Sequence, residues 1–415
     1  FDVSDIPEDL QPYLPLLGKF TVQMGAAGLS YEAMAKRISL RTGGLGVNVA
    51  AGSTADGLGS WQKMIFSVKA LYRNADEAVA IVRDLLTQGD LNDAGRAREL
   101  ILEKKNDLHA SVIPSGHLFA QMAAAAGLSL PAWRTEQWHG RTQLRLVSAT
   151  ADGLNGARDG LREKLDRLRR CVFVRQRLVL NMTAEAEGLH RLAAAVDALL
   201  ASLPDGRPPG KPGEWLRRPA HIGIAIPAEV CYVAKVLAAP PYTDGKSATL
   251  FVLARQLSNG YLYRRIRVQG GAYGGSCRYE PGSGLFAFLS YRDPHLRETL
   301  DVYRDAVDAA CSETISQEEA DKAVIGAIGA LDRPLDPAGK GFAALIREFS
   351  GLTDPDRRRF REAVLAADPE RLRDTARSYF PPASRTAVFA ACASEERLRK
   401  ANEILEEKME MEKLF

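Results

Sequence analysis

One segment near the middle of the sequence constrains the fold of this chain more than any other. Residues 203–219 contain five prolines and three glycines. Proline fixes its backbone φ angle and lacks an N–H donor, so this density of proline prevents a helix or a strand and predicts a linker. Since 415 residues are too many for one ordinary core, we expect two domains, 1–202 and 220–415, joined by residues 203–219.

The composition is that of a soluble globular protein and excludes several other classes. With 46% hydrophobic and 26% charged residues, the chain is not typical of a disordered, collagen-like or coiled-coil protein. A formal net charge of +3 gives no bias toward nucleic acid or an anionic membrane, and we expect neither as a partner. We expect a bacterial cytoplasm as the compartment, or an organelle matrix if the source is eukaryotic.

The cysteines and histidines argue against a metal site in this chain. The five cysteines are far apart and form no CxxC pair, and neither HExxH nor HxxEH occurs. The nearest string is Glu136–His139, an ExxH whose residues we interpret as a surface carboxylate and a partly buried histidine. We therefore expect no metal ligands here.

Three other motifs, two for nucleotide binding and one for a serine nucleophile, are incomplete or absent in this sequence. Residues 244–247 (DGKS) imitate the end of a P-loop, but Pro240 stands where that motif needs glycine. The run at 44–46 (GLG) follows a predicted helix, whereas a dinucleotide fingerprint follows a strand. No GxSxG nucleophile elbow is present. Nothing in the sequence favours a nucleotide-binding enzyme or a serine hydrolase.

Hydrophobic periodicity predicts a mixture of helices and strands on both sides of the linker. Before it we expect helices at 30–39 (with Ser30 as N-cap), 76–86, 93–126, 130–149, 155–169 and 185–201, and strands at 47–51, 61–72 and 177–183. After it we expect strands at 221–226, 272–279, 285–291 and 385–390, helices at 247–258 and 297–311, and a closing helix.

Short strings recur in the two halves. Residues 41–44 (RTGG) match 267–271 (RVQGG), and 72–74 (YRN), before a predicted helix, match 291–293 (YRD), also before one. Because local identity and element order agree, we interpret the chain as a duplicated α+β domain of the α/β sandwich type. Each copy is expected to hold a mostly antiparallel sheet packed with helices, and the first also a long helical insert.

The segment richest in chemical information is 264–275 (RRIRVQGGAYGG). Four glycines surround Tyr273, and Arg267 lies six residues earlier. A glycine-rich backbone permits close approach by another chain, and a phenol beside a guanidinium can donate hydrogen bonds to a peptide carbonyl. An ion-paired Arg267 and a strand-packed Tyr273 remain the alternative from the residues alone.

This segment, with 288–294 (FLSYRDP), resembles the C-terminal half of the insulinase-type (pitrilysin) zinc metallopeptidases, closest to the presequence-protease branch. Residues 2–20 (DVSDIPEDLQPYLPLLGKF) and 42–44 (TGG) resemble the beginning of that half. The resemblance implies the LuxS/MPP-like metallohydrolase fold, with the third and fourth of four related domains present here. It also implies a protein about twice as long, whose hinge lies just before Phe1.

The resemblance also implies functional roles. Arg267 and Tyr273 would hydrogen-bond the scissile carbonyl of a peptide, and Gly270, Gly271, Gly274 and Gly275 would form the edge along which the peptide lies. Tyr291 and Arg292 are further candidates, although Asp293 and Pro294 are equally suited to serve only as the N-cap and first residue of the next helix.

Zinc and the general base would lie in an N-terminal HxxEH-bearing half, on the same polypeptide or a separate chain. This chain alone would be inactive, and unfolded peptides would be the substrates. A non-catalytic scaffold or assembly subunit derived from this fold, and an unrelated peptide-binding module, are the alternatives.

Overall fold

The computed structural model of the chain describes residues 1–153, 158–211, 215 and 218–414. Within these ranges the α-helices are α1 (Leu14–Gln23), α2 (Tyr31–Arg41), α3 (Ala75–Thr87), α4 (Ala94–Val112), α5 (Gly116–Ala125), α6 (Leu130–His139), α7 (Arg141–Asp152), α8 (Arg158–Val172), α9 (Ala186–Ser202), α10 (Ser247–Leu257), α11 (Arg297–Ser312), α12 (Gln317–Leu331), α13 (Pro337–Ser350), α14 (Asp354–Leu365), α15 (Pro369–Ser384) and α16 (Glu395–Ile404). A π-helix, Ser258–Gln269, continues α10. None of the described helices is long and apolar enough to cross a membrane.

The strands form two sheets. They are β1 (Leu45–Ser53), β2 (Ser60–Val68), β3 (Ile222–Ala225), β4 (Tyr232–Ala238), β5 (Gly274–Glu280), β6 (Leu285–Tyr291), β7 (Val388–Ala393) and β8 (Glu410–Lys413). β1 and β2 pair as an antiparallel hairpin, and the other six form one sheet in the order β5-β6-β4-β7-β3-β8. The pairs from β5 to β7 are antiparallel, whereas β3 runs parallel to β7 and β8. β5 is therefore an edge strand.

Helices cover both faces of the six-stranded sheet. Side chains of a strand alternate between its faces, and in β4 Tyr232 and Ala234 pack with helices that precede the linker, while Val233 and Leu237 pack with helices that come after it. α5 approaches β4 closely, since a Cβ at Gly116 would lie 2.4 Å from the ring of Tyr232. The two halves of the chain thus share a core, and the α+β class predicted from the sequence is confirmed.

The proline-rich segment behaves as its composition predicts. Its described residues, 204–211, 215 and 218–219, lie in neither helix nor strand. The segment is nevertheless attached to the first half, because the N–H of Gly210 donates to Asp5 at 2.8 Å and the carbonyl of Pro204 accepts from the N–H of Arg175 at 3.1 Å.

Some predicted helices and strands are confirmed. Ser30 caps α2, its side chain accepting a hydrogen bond from the N–H of Ala33, and β6 has the predicted bounds. The predicted helix 155–169 begins partly outside the described residues and is otherwise α8.

Other predictions are wrong. The strand predicted at 177–183 does not form, because Val179 and Leu180 are exposed and no described strand pairs with them. The two long helices predicted over 93–149 are the four helices α4 to α7, and the chain closes on strand β8 rather than on a helix.

The first half contributes only the hairpin β1–β2 among its described residues, rather than a larger sheet. The periodicity of the sequence did not indicate β4.

Candidate functional site

The glycine-rich segment connects the π-helix to the edge strand β5. Gly271 takes the left-handed conformation, with φ of 75°, which glycine adopts without steric cost. Its N–H donates to the carbonyl of Arg267 at 3.2 Å, and the N–H of Ala272 donates to the carbonyl of Ile266 at 3.1 Å. These bonds end the π-helix and direct the chain into β5. π-helical segments are rare and occur frequently at functional sites.

The four positions of this segment are occupied by glycine for different local reasons. A Cβ at Gly270 would lie 2.7 Å from the carbonyl oxygen of Ile266, and one at Gly275 would lie 2.7 Å from the Cβ of Ile266. Gly271 is required by its φ angle. A Cβ at Gly274 would meet nothing within 4 Å. Only Gly274 therefore has no packing or backbone reason to be glycine.

The structure brings the two predicted substrate-side residues together. The guanidinium carbon of Arg267 lies 5.8 Å from the centre of the Tyr273 ring and 5.6 Å from that of Tyr263. Tyr273 is 66% exposed, and its hydroxyl makes no hydrogen bond to any described residue. A cation over a ring face holds both side chains in place while their donors remain free. Of the alternative from the residues alone, the described residues contain no ion pair of Arg267, whereas the ring of Tyr273 does pack on the strand residue Tyr291.

Tyr291 and Arg292 support Tyr273 from the next strand. The rings of Tyr273 and Tyr291 pack edge to face at 5.7 Å, and the N–H of Tyr273 donates to the carbonyl of Arg292 at 3.3 Å. Arg292 has φ of 49°, a conformation that non-glycine residues seldom adopt and that often marks a functional site. Its guanidinium lies 5.6 Å from the ring centre of Tyr291.

Asp293 has a different role from the predicted one. Helix α11 begins only at Arg297, so Asp293 is not its N-cap. Its buried carboxylate accepts from the N–H of His295 at 2.9 Å and from the hydroxyl of Thr299 at 2.8 Å. Burial raises the pKa of Asp293, and these two hydrogen bonds offset part of that rise. Asp293 thus stabilises the turn after Arg292.

Two residues from other parts of the sequence complete the cluster. The ring of His117, on α5, packs edge to face against the ring of Tyr291, with 5.0 Å between the ring centres. The ring centre of Tyr232, on β4, lies 5.6 Å from that of Tyr291. Burial and then the charge of Arg278 lower the pKa of His117, which favours its neutral form. The His117 Nδ1 and the Tyr232 hydroxyl are buried and have no hydrogen-bond partner among the described residues.

Sequence reasoning missed His117, Tyr232 and Arg278. They are far from Tyr273 in the sequence or lie in a strand of ordinary composition, so no local signal marks them. The packing of α5 on the sheet brings His117 to Tyr291, and the pairing of β4 with β6 brings Tyr232 there.

The described residues contain no group of three or more histidine, cysteine, aspartate or glutamate side chains placed to hold a metal ion. The ExxH pair has structural roles. The carboxylate of buried Glu136 accepts from the N–H and hydroxyl of Thr142 at 3.1 and 2.7 Å, and the His139 Nε2 lies 2.8 Å from the carbonyl oxygen of Val49.

Comparison with known protein families gives two matches along the chain. Residues 1–149 match the model of the region associated with M16 peptidases of subfamily C, and residues 223–379 match the model described as "PreP C-terminal domain". The second match includes Arg267, Tyr273, Tyr291 and Arg292.

Curated relatives are similar over almost the whole chain. "Presequence protease 1, chloroplastic/mitochondrial" of Arabidopsis thaliana is 31% identical over 409 residues, which cover 97% of this chain and 37% of the relative. "Presequence protease, mitochondrial" of Danio rerio is 28% identical, over 96% of this chain and 41% of the relative. The chain thus spans about two fifths of the length of these relatives.

Solved structures share the fold. A "peptidase M16 inactive domain" from Pseudomonas fluorescens superposes with a TM-score of 0.61 at 13% identity, covering 91% of this chain and 87% of that one. A conserved protein from Enterococcus faecalis superposes with a TM-score of 0.66 at 12% identity. The superposition covers 93% of this chain and 91% of that protein. At such identities the likeness shows the fold.

Proposed function

Because the chain belongs to the presequence-protease branch of the M16 peptidase family and corresponds to its C-terminal half, we propose that it holds peptide substrate for a catalytic half and stabilises the scissile carbonyl. The observation that carries this proposal is the pairing of Arg267 with Tyr273. An exposed phenol, whose hydroxyl has no partner among the described residues, is held by a guanidinium beside an edge strand.

The chemical role of the pair is hydrogen-bond donation. When a peptide carbonyl is attacked, its oxygen becomes an oxyanion, and donors already aimed at that position stabilise it without reorganising. The Tyr273 hydroxyl and the Arg267 N–H groups are such donors, and the phenol ring is held between Arg267 and Tyr291. Preorganisation of Tyr273 by these contacts favours this role over that of a purely structural side chain.

The peptide itself would lie along the beginning of β5. An edge strand offers unpaired backbone groups to which an extended peptide can add. Further along, the Cys277 N–H and C=O are both hydrogen-bonded to the Ser258 hydroxyl, at 2.8 and 2.9 Å, which closes that part of the edge. Gly274 and Gly275 are therefore the proposed contact, and Gly270 and Gly271 shape the turn that leads to them.

The zinc ion implied by the resemblance does not fit the described residues of this chain, which hold no suitable ligand group. We place it, with the general base, in an HxxEH-bearing N-terminal half. The role of this chain is accordingly limited to binding, orienting and hydrogen bonding.

We keep the division into residues 1–202, a linker 203–219 and residues 220–415 as part of this proposal. The shared core implies that the two parts move together as one wall of a closing chamber. We also propose an organelle matrix, or a bacterial cytoplasm, as the compartment. The matched relatives are named as mitochondrial or chloroplastic proteins.

Reconstitution tests the proposal. The chain is purified alone and mixed with a candidate HxxEH-bearing half and zinc, and the cleavage of an unfolded peptide is followed. Activity only in the mixture supports it. Cleavage by this chain alone would contradict it, and specific binding to the other half without any effect on cleavage would favour a scaffold.

A further inference from the structure

Three arginines, at the end of the π-helix, in β5 and directly after β6, lack carboxylate partners among the described residues. Arg267, Arg278 and Arg292 are all exposed, and no carboxylate in the described ranges lies within ion-pair distance of any of them. Arg37, by contrast, is half-buried and binds both Glu77 and Asp84 at 2.7 Å. The surface around Tyr273 therefore presents concentrated, unbalanced positive charge.

Two buried polar groups in the same cluster are also unpaired within the described part of the chain. Tyr232 is fully buried, and neither its hydroxyl nor the Nδ1 of His117 has a hydrogen-bond partner among the described residues. Burial raises the pKa of Tyr232, and the guanidinium of Arg292 next to its hydroxyl offsets part of the rise. Unsatisfied buried polar groups are uncommon in native proteins and need an explanation.

These groups surround one face of β5. Gly274 and Arg278 lie on the same face of the strand, since side chains alternate, and Gly274 is paired with Tyr291 across the hairpin. The ring of His117 packs on Tyr291, and Arg278 is close enough to affect the pKa of His117. Polar groups from α5, β4 and β5 and the guanidinium of Arg292 thus lie on the face of the sheet beside the proposed peptide edge.

We propose that Arg278 and Arg292 form a carboxylate-binding subsite beside Tyr273, so that this chain selects peptides that carry a carboxylate near the bond held by Arg267 and Tyr273. The inference rests on the proposed function and names its substrate class. The carboxylate belongs either to the C-terminus of the peptide or to an Asp or Glu side chain. Guanidinium–carboxylate hydrogen bonds are short and strong.

Binding of matched peptides to the whole chain tests the subsite. Three fluorescently labelled ten-residue peptides are compared by anisotropy: one with a free C-terminus and one internal Glu, one amidated, and one with that Glu replaced by Gln. Loss of the carboxylate that is recognised should weaken binding about tenfold, which also tells the two sources apart. Arg278→Gln and Arg292→Gln should abolish the discrimination, and Arg292→Lys should retain part of it.

Arg333→Gln is the matched control, because Arg333 is also exposed and has no ion pair with a described residue but lies between α12 and α13. It should bind all three peptides like the unaltered chain, and circular dichroism checks that every variant is folded. Equal affinity of the unaltered chain for the three peptides would overturn the subsite and leave the peptide-holding function intact.

Failure to bind any of the peptides would instead remove the proposed function itself. If the peptides bind equally but Arg278→Gln and Arg292→Gln weaken association with the HxxEH-bearing half, the arginines belong to the interface between the halves, and the subsite is also overturned.

Discussion

The chain contains the same structural unit twice, and only the second copy carries a candidate site. In the first unit, α2 leads through Gly44, with φ of 132°, into the hairpin β1–β2 and then α3. In the second, the π-helix leads through Gly271, with φ of 75°, into the hairpin β5–β6 and then α11. The recurrence of short strings in the sequence thus coincides with a recurrence of structure.

The two units differ immediately after the glycine. From Gly44 the chain enters β1 at once, at Leu45, whereas Ala272 and Tyr273 stand between Gly271 and β5. This extension places an aromatic side chain outside the sheet, at 66% exposure. The shared backbone arrangement is therefore not sufficient to form a candidate site. The phenol comes from Tyr273, one of the two residues that only the second unit contains.

The two hairpins also differ in the histidine that contacts them. The His139 Nε2 on α6 is hydrogen-bonded to the carbonyl of Val49 in β1, at 2.8 Å. His117 on α5 packs on Tyr291 in β6, and no described residue is hydrogen-bonded to its Nδ1. The first contact satisfies the imidazole within the chain, whereas the second leaves a buried nitrogen without a partner among the described residues.

The largest expected effect distinguishes Tyr273 of the second unit from Tyr72 of the first. Tyr273→Phe removes one oxyanion donor and should lower kcat of the reconstituted enzyme about 10²–10³-fold with a small change in KM. Tyr72→Phe, which removes a hydroxyl bonded to Glu187 at 2.7 Å in the first unit, should leave kcat unchanged. Steady-state peptide cleavage measures kcat for both variants. Equal losses of kcat would contradict a role of Tyr273 that Tyr72 does not share.

Substitutions of glycines in the two hairpins should distinguish effects on stability from effects on peptide binding. Gly275→Val forces a side chain against Ile266 and should lower the free energy of unfolding by about 1–3 kcal/mol in urea denaturation. Gly274→Val and Gly46→Val meet open space and should change it by less than about 0.5 kcal/mol.

Of the two tolerated substitutions, only Gly274→Val should weaken peptide binding, since Gly46 belongs to the first hairpin. Unchanged binding by Gly274→Val would contradict the proposed peptide edge.

The histidine of the first unit should contribute to the pH dependence of stability. Burial lowers the pKa of His139 below its ordinary value of 6.5. The unfolded chain therefore takes up the proton first, and this stability is present above pH 6.5 and is lost as the pH falls through the folded-state pKa. His139→Gln should make the fall of Tm between about pH 7 and pH 5 shallower. An unchanged slope would show that His139 does not titrate in this way.

The smallest effect concerns the histidine of the second unit. Arg278→Gln removes a positive charge that lowers the pKa of His117 and should raise it part of the way, because burial, the larger cause, remains. NMR titration of the imidazole protons measures the shift. The pKa of His139 should not change in the same variant, and a common shift of both would indicate a general structural change.

The sequence predicted those elements whose signals are local. Ser30 before an amphipathic run predicted the start of α2, and the apolar stretch of β6 has its predicted bounds. The strand predicted at 177–183 does not form, because its apolar residues find no described strand to pair with and remain partly exposed. β8, a short and mostly charged run, forms only because it can pair with β3.

By itself, the sequence determined the α+β class and the family resemblance. Only the tertiary structure decided that the halves share a core, that Arg267 lies over the ring of Tyr273, and that His117 and Tyr232 meet at Tyr291. The physical reason is that a strand pair or a helix packed on a sheet joins residues by shape and burial, which no spacing along the chain encodes.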